Sequence, residues 1–232
     1  MGEGRQECAL PAPAAAEAEI VSALERLEAG EPAVSPEAAA GVVAFLTHAS
    51  RAVRRRAAGA LSTAIRQGAI PVAACEAMLE GGDAARRFGL AFALARAGAG
   101  SPRVVDAAVE ALGSDDGDVR WAASTIVVAA ARTSDDLVRR LRSLATAGAA
   151  AERRMALACL ADRGAGESAV FLSALGDGDP LVRIAALTAL GRVGDRSAAA
   201  LAALREVAGN DPQATVRRAA AAILGRLGGG AP

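Results

Sequence analysis

The residues that could do chemistry are few and scattered. The chain has one histidine, His48, and three cysteines, Cys8, Cys75 and Cys159, with no C-x-x-C pair. A metal site or an acid–base relay needs several such groups at close spacing. All 26 basic residues are arginine and there is no tyrosine. That leaves no P-loop lysine, no Schiff-base lysine and no tyrosine acid. The acidic turn Asp115-Asp116-Gly117-Asp118 lacks the further ligands and the glutamate of a calcium loop, and helix capping accounts for it better. The glycines at 98, 100 and 228–230 follow helical patterns, not strands, so they read as helix stops and not as phosphate cradles. His48 falls at the end of a helical segment, where the dipole favours it. The expectation is a chain with no catalytic, cofactor-binding or metal-binding residues.

Composition points to the elements instead. The 232 residues are 53% hydrophobic but only 2% aromatic, so the apolar content is chiefly alanine, leucine and valine. Alanine is the best helix former and lets helix backbones approach closely. The 26 acids balance the 26 arginines, which argues against a strongly basic nucleic-acid binder. The arginine-for-lysine bias fits the coding sequence of a high-GC, bacterial-like genome. Three cysteines without a pairing framework suggest reduced thiols, hence a cytoplasmic protein. No apolar run reaches the roughly 18 residues that span a bilayer, and the Met-Gly-Glu-Gly start has no secretion-signal pattern.

Residues 1–14 carry Gly, Pro and small residues without periodicity and are expected to form a mobile tail. Residues 15–30 place Ile20, Leu24 and Leu27 on one face and end at Gly30, an amphipathic helix suited to cap the N-terminal end of a helical array. From there one motif, V-R-x-A-A-x-x-A-L, can be aligned six times on Arg54, Arg87, Arg120, Arg153, Arg183 and Arg217. The steps between these arginines are 33, 33, 33, 30 and 34 residues. The copies at Arg87 and Arg153 are the most worn, and their register could be displaced by one. A second helical segment precedes each copy. These run over 35–48, 70–80, 101–112, 134–147, about 168–175 and from 197 to about 208. Asp118, Asp179 and Asp211 are placed to cap the second helices, with Pro180 and Pro212 at their first positions. The valine, then the residues three, four, seven and eight on, make the buried stripe. The arginine can reach an acidic turn of the neighbouring unit, which would build a ladder of Arg–Asp contacts along the stack.

A period near 33 is shared by ankyrin and tetratricopeptide arrays. The T-P-L-H element of the first is missing, as are the Tyr and Trp landmarks of the second. Asp179-Pro180-Leu181-Val182-Arg183 followed by A-A-x-x-A-L-G-x-x-G-D resembles the short HEAT-like repeats of the phycobilin-lyase type, over about residues 35–230. The resemblance is strongest in the third, fifth and sixth copies. It implies an all-α chain: a right-handed α-solenoid of about six two-helix repeats behind an N-terminal capping helix, forming a single domain over 15–232. Repeated His-Glu pairs mark the HEAT-like di-iron hydroxylases, and this chain has none.

In such a stack the second helices line the concave side. Positions two and six after the valine share one face. Position two reads Arg55, Phe88, Trp121, Arg154, Ile184, Arg218, and position six reads Gly59, Phe92, Thr125, Ala158, Thr188, Ala222. Phe88, Phe92 and Trp121, flanked by Arg55, Arg154 and Arg218, have the composition of a protein-binding hot spot. The alternative is that Phe88 and Phe92 fill the space left by Gly89. The function expected is a non-enzymatic scaffold whose concave face holds another protein or a peptide, without membrane attachment. Two alternatives are an accessory subunit, lyase-like or chaperone-like, acting on a cofactor-carrying or modified protein, and nucleic-acid binding through the arginines.

Overall fold

The architecture is all-helical in a computed structural model, which describes residues 22, 25, 41–164 and 167–228. The expected 1–14 tail and nearly all of the expected 15–30 helix lie outside the described residues. The order is a 3-10 turn Phe45–Thr47, α1 (Arg51–Arg66), α2 (Val72–Ala77), a 3-10 turn Met78–Glu80, α3 (Ala84–Arg96), α4 (Pro102–Ala111), α5 (Gly117–Ala131), α6 (Asp135–Ala147), α7 (Ala150–Arg163), α8 (Ser168–Ala174), α9 (Pro180–Val193), α10 (Ala198–Asn210) and α11 (Ala214–Gly228). No strand occurs among the described residues. The contacts cluster into two compact units, Met1–Val104 and Val105–Pro232, and the division falls inside α4.

In the first unit α1 packs on α3, and both pack on the turn Phe45–Thr47. α1 buries Ala57, Ala58, Ala60, Leu61, Ala64 and Ile65, a stripe of small side chains closed by two larger ones. Close helix approach is carried furthest at Gly89. A Cβ there would stand 2.8 Å from Leu46 Cβ, so the turn can seat Leu46 against α3 only where a hydrogen replaces a side chain.

In the second unit α5, α7, α9 and α11 each pack on the next, while α6 lies against α7, α8 against α9, and α10 against α11. This is the paired-helix stacking of an α-solenoid, in which a helix with one apolar stripe is stable only against its neighbours. Side-chain caps open most of these helices. Asp116 accepts from the Asp118 and Val119 N–H groups, Ser134 from Leu137, Asp179 from Leu181 and Ser197 from Ala200. The cap of α5 is therefore Asp116, not Asp118. The extended backbone at Asp116 leaves its carboxylate facing the first free N–H groups, whereas Asp118 already lies inside the helix. Pro180 is the first residue of α9, but Pro212 precedes α11 by two positions. α9 ends on Gly194 at φ +70°, with the Asp195 N–H returning to the Leu190 carbonyl, a stop that needs a left-handed residue.

Position four of the motif is completely buried in all six copies: Ala57, Leu90, Ala123, Ala156, Ala186 and Ala220 are each 0% exposed. Position three is buried in none, and Val119 is also outside the core. The stripe is thus narrower than the motif suggests. It is narrowest in α5, where only Ala123, Val127 and Ala131 are buried.

Candidate partner-binding face

The face is fixed by the arginine at position one. In every copy its guanidinium donates to backbone carbonyls in the turn before its own helix. Arg54 reaches the His48 and Ala49 carbonyls, Arg87 the Gly82 carbonyl, and Arg120 those of Ser114 and Asp115. Arg153 reaches the Gly148 carbonyl, Arg183 the Asp177 carbonyl and Arg217 the Asp211 carbonyl, at 2.6–2.8 Å. One bond made six times sets the register of all six second helices, including the worn copies at Arg87 and Arg153.

Arg153 and Arg183 also reach forward, as the ladder requires. Arg153 holds both carboxylate oxygens of Asp177 at 2.7 Å, and Arg183 holds Asp211 at 2.7 and 2.9 Å. The second pair is buried. Asp177 and Asp211 accept further from the Asp179 and Gln213 N–H groups. The arginine bonds first, then these backbone donors, hold both carboxyls below the usual aspartate range against the opposing effect of burial. No acid stands at the corresponding place of the earlier copies, where the chain has Gly81, Ser114 and Ala147.

With position one committed to structure, position two is what the helices present. In the second unit Trp121 is 71% exposed, Arg218 is exposed, and Arg154 and Ile184 are half-buried. In the first unit Arg55 is exposed and Phe92 half-buried, with the Arg96 guanidinium 5.7 Å from its ring centroid. Phe88 departs from the expectation of an exposed anchor. It is 7% exposed, and its ring tilts against Phe92 at 6.0 Å. The residue beside it, Gly89, brings α3 close against Leu46. Gly89 does leave a space, but Leu46 fills it. Among the described residues, Arg55, Arg154 and Arg218 make no hydrogen bond or ion pair, in contrast to the arginines beside them.

Two features escape a reading of the motif alone. Leu181, one residue before the motif valine, is 51% exposed. Charge is also uneven along the chain. Residues 41–104 hold nine arginines against Glu76, Glu80 and Asp83, a net charge of 9 − 3 = +6. Much of that excess is engaged, because Arg51, Arg54, Arg56 and Arg87 all have partners. His48 is tied into the turn before α1, where its Nδ1 accepts the Ser50 N–H at 3.0 Å and its ring stacks on Phe45. Burial raises the Cys75 thiol and pushes Cys159 up to about 12. Among the described residues no three His, Cys, Asp or Glu side chains converge as metal ligands do, and no helix is long and apolar enough to cross a membrane.

Comparison with known proteins bears on the repeats. No curated protein matches the chain. Among solved structures, an engineered protein is 19% identical with a TM-score of 0.44, covering 83% of this chain and 97% of its own. A computationally designed armadillo repeat protein for modular peptide recognition is 18% identical at a TM-score of 0.40, covering 92% of each chain. Human deoxyhypusine hydroxylase in complex with glycerol is 18% identical at a TM-score of 0.28, covering 93% of this chain and 98% of that one. Residues 135–225, from α6 into α11, match the family model of HEAT repeats. That match marks the helix pairs of residues 135–225 as HEAT-like repeats, and the arginine bond they share recurs at all six second helices.

Proposed function

We propose that the chain is a non-enzymatic interaction scaffold that binds another protein or a peptide through positions two and six of its second helices. The observation that carries this reading is Trp121, 71% exposed on α5, with Arg154 on the adjacent α7 and Arg218 further along on α11, both without acidic partners among the described residues. A large exposed apolar side chain in line with uncommitted arginines gains most when a partner removes it from water and supplies carboxylates. Phe92 and Arg55 offer a smaller surface of the same kind in the first unit, with Phe88 beneath as support. The proposal takes 15–232 as one repeat domain working in the cytoplasm.

The test is capture from the native cell with the full chain against Trp121→Ala combined with Arg154→Ala. The double variant should fold normally and lose its specific partner. Undiminished capture would remove the reading. The arginine excess of residues 41–104 does not favour nucleic acid, because Arg51, Arg54, Arg56 and Arg87 are already engaged.

A further inference from the structure

The position-two face of the second unit is not a random mixture. Along α5, α7, α9 and α11 it runs Trp121, Arg154, Ile184, Arg218, and position six beside it runs Thr125, Ala158, Thr188, Ala222. Both positions alternate with a period of two repeats. Each arginine is accompanied by alanine, which leaves room for a guanidinium to lie across the helix. Each large apolar residue is accompanied by a threonine whose hydroxyl is already bonded within its helix, to the Ala122 carbonyl at 2.7 Å and the Ile184 carbonyl at 2.8 Å. The four helices pack in succession, so the four side chains form a row crossing them.

The step of that row selects a partner conformation. Packed helices lie about 8–10 Å apart. A polyproline II helix has three residues per turn and rises about 3.1 Å per residue, so it returns to the same face roughly every 9 Å. A β-strand covers the same distance in about three residues, but its period of two points alternate anchors away from the row. An α-helix repeats a face at about 10.5 Å, every seventh residue, and outruns the row over three steps. The exposed helix faces offer no unpaired backbone groups, so a segment that needs main-chain partners gains nothing there, whereas polyproline II needs none.

Resting on the scaffold reading above, we infer that the second unit binds an extended, polyproline-II-like segment carrying an apolar and an acidic side chain alternately at every third residue. The apolar residues meet Trp121 and Ile184, and the acids meet Arg154 and Arg218.

The test uses the full chain and its single tryptophan, which lies in the row itself. Trp121 fluorescence is titrated with a synthetic peptide repeating Leu-Pro-Pro-Glu-Pro-Pro. Controls carry Leu and Glu at alternate residues, or at every seventh residue of a helical sequence. The expected result is a saturable spectral change with the three-residue spacing, about tenfold tighter than with either control. Arg154→Glu with Arg218→Glu should abolish it without lowering Tm, and a peptide bearing Arg in place of Glu should restore it. Equal or tighter binding of a control peptide, or no rescue by the charge exchange, overturns the inference. Loss of native capture in Trp121→Ala while no peptide changes the fluorescence would overturn this inference and leave the scaffold reading standing. Capture indifferent to Trp121 would overturn both.

Discussion

The guanidinium of Arg183 clasps both oxygens of Asp211 across two repeats, at 2.7 and 2.9 Å, while its other nitrogen bonds the Asp177 carbonyl of its own turn. One side chain therefore fastens a repeat internally and to its successor. Arg183→Ala would strand a buried carboxylate, with an expected loss of about 3 kcal/mol. Arg218→Ala, at an exposed arginine without a partner among the described residues, should change stability by less than about 0.5 kcal/mol. Chemical denaturation of the two variants side by side checks this.

Acid should act on the same joints. Asp177 and Asp211 titrate lower in the folded chain than in the unfolded one, chiefly because of their arginines. The folded state then binds fewer protons, and their contribution is fully present above the unfolded aspartate value of about 3.9. It drains away as pH falls through the lower folded values. Tm measured from pH 6 downward should fall less steeply below about pH 4 in Asp211→Asn, which lacks one of these groups, than in the wild type.

Gly89→Ala tests the turn-on-helix contact. The new methyl would meet Leu46 Cβ at 2.8 Å, and overpacking of this kind costs about 1–3 kcal/mol. Leu46→Ala in the same chain should recover part of the loss, a coupling that a double-mutant cycle measures directly.

The thiols give a separate readout. With Cys75 raised by burial and Cys159 pushed up to about 12, neither forms thiolate near neutrality. Peptide-level mass spectrometry after alkylation at neutral pH should find both unmodified in the folded chain and both modified in denaturant.

Trp121→Ala should leave Tm nearly unchanged and abolish the tryptophan signal, since the residue is 71% exposed and unique. In the wild type, the emission maximum should resemble tryptophan in water.

Much of the fold was readable from residue types. The arginine register was legible because a small residue recurs three positions after it in five copies, and Leu90 takes that place in the sixth. The exposure of Trp121, Arg55 and Arg218 accords with the same helical spacing. Residue types alone left Phe88 open between an exposed anchor and a core side chain. Beside it Leu46 seats against Gly89, a contact between residues far apart in the chain that no local pattern encodes. The choice of Asp116 over Asp118 as the cap was equally hidden, because backbone angles, not residue type, decide which carboxylate faces the free N–H groups.

The forward clasps Arg153–Asp177 and Arg183–Asp211 both lie in the last three copies of the motif. Those copies should therefore open as one cooperative block under native conditions, with amides of α7, α9 and α11 exchanging at a common, slow rate. In mechanical terms these two joints give Arg154, Ile184 and Arg218 a backing that does not give way when a partner pulls on it.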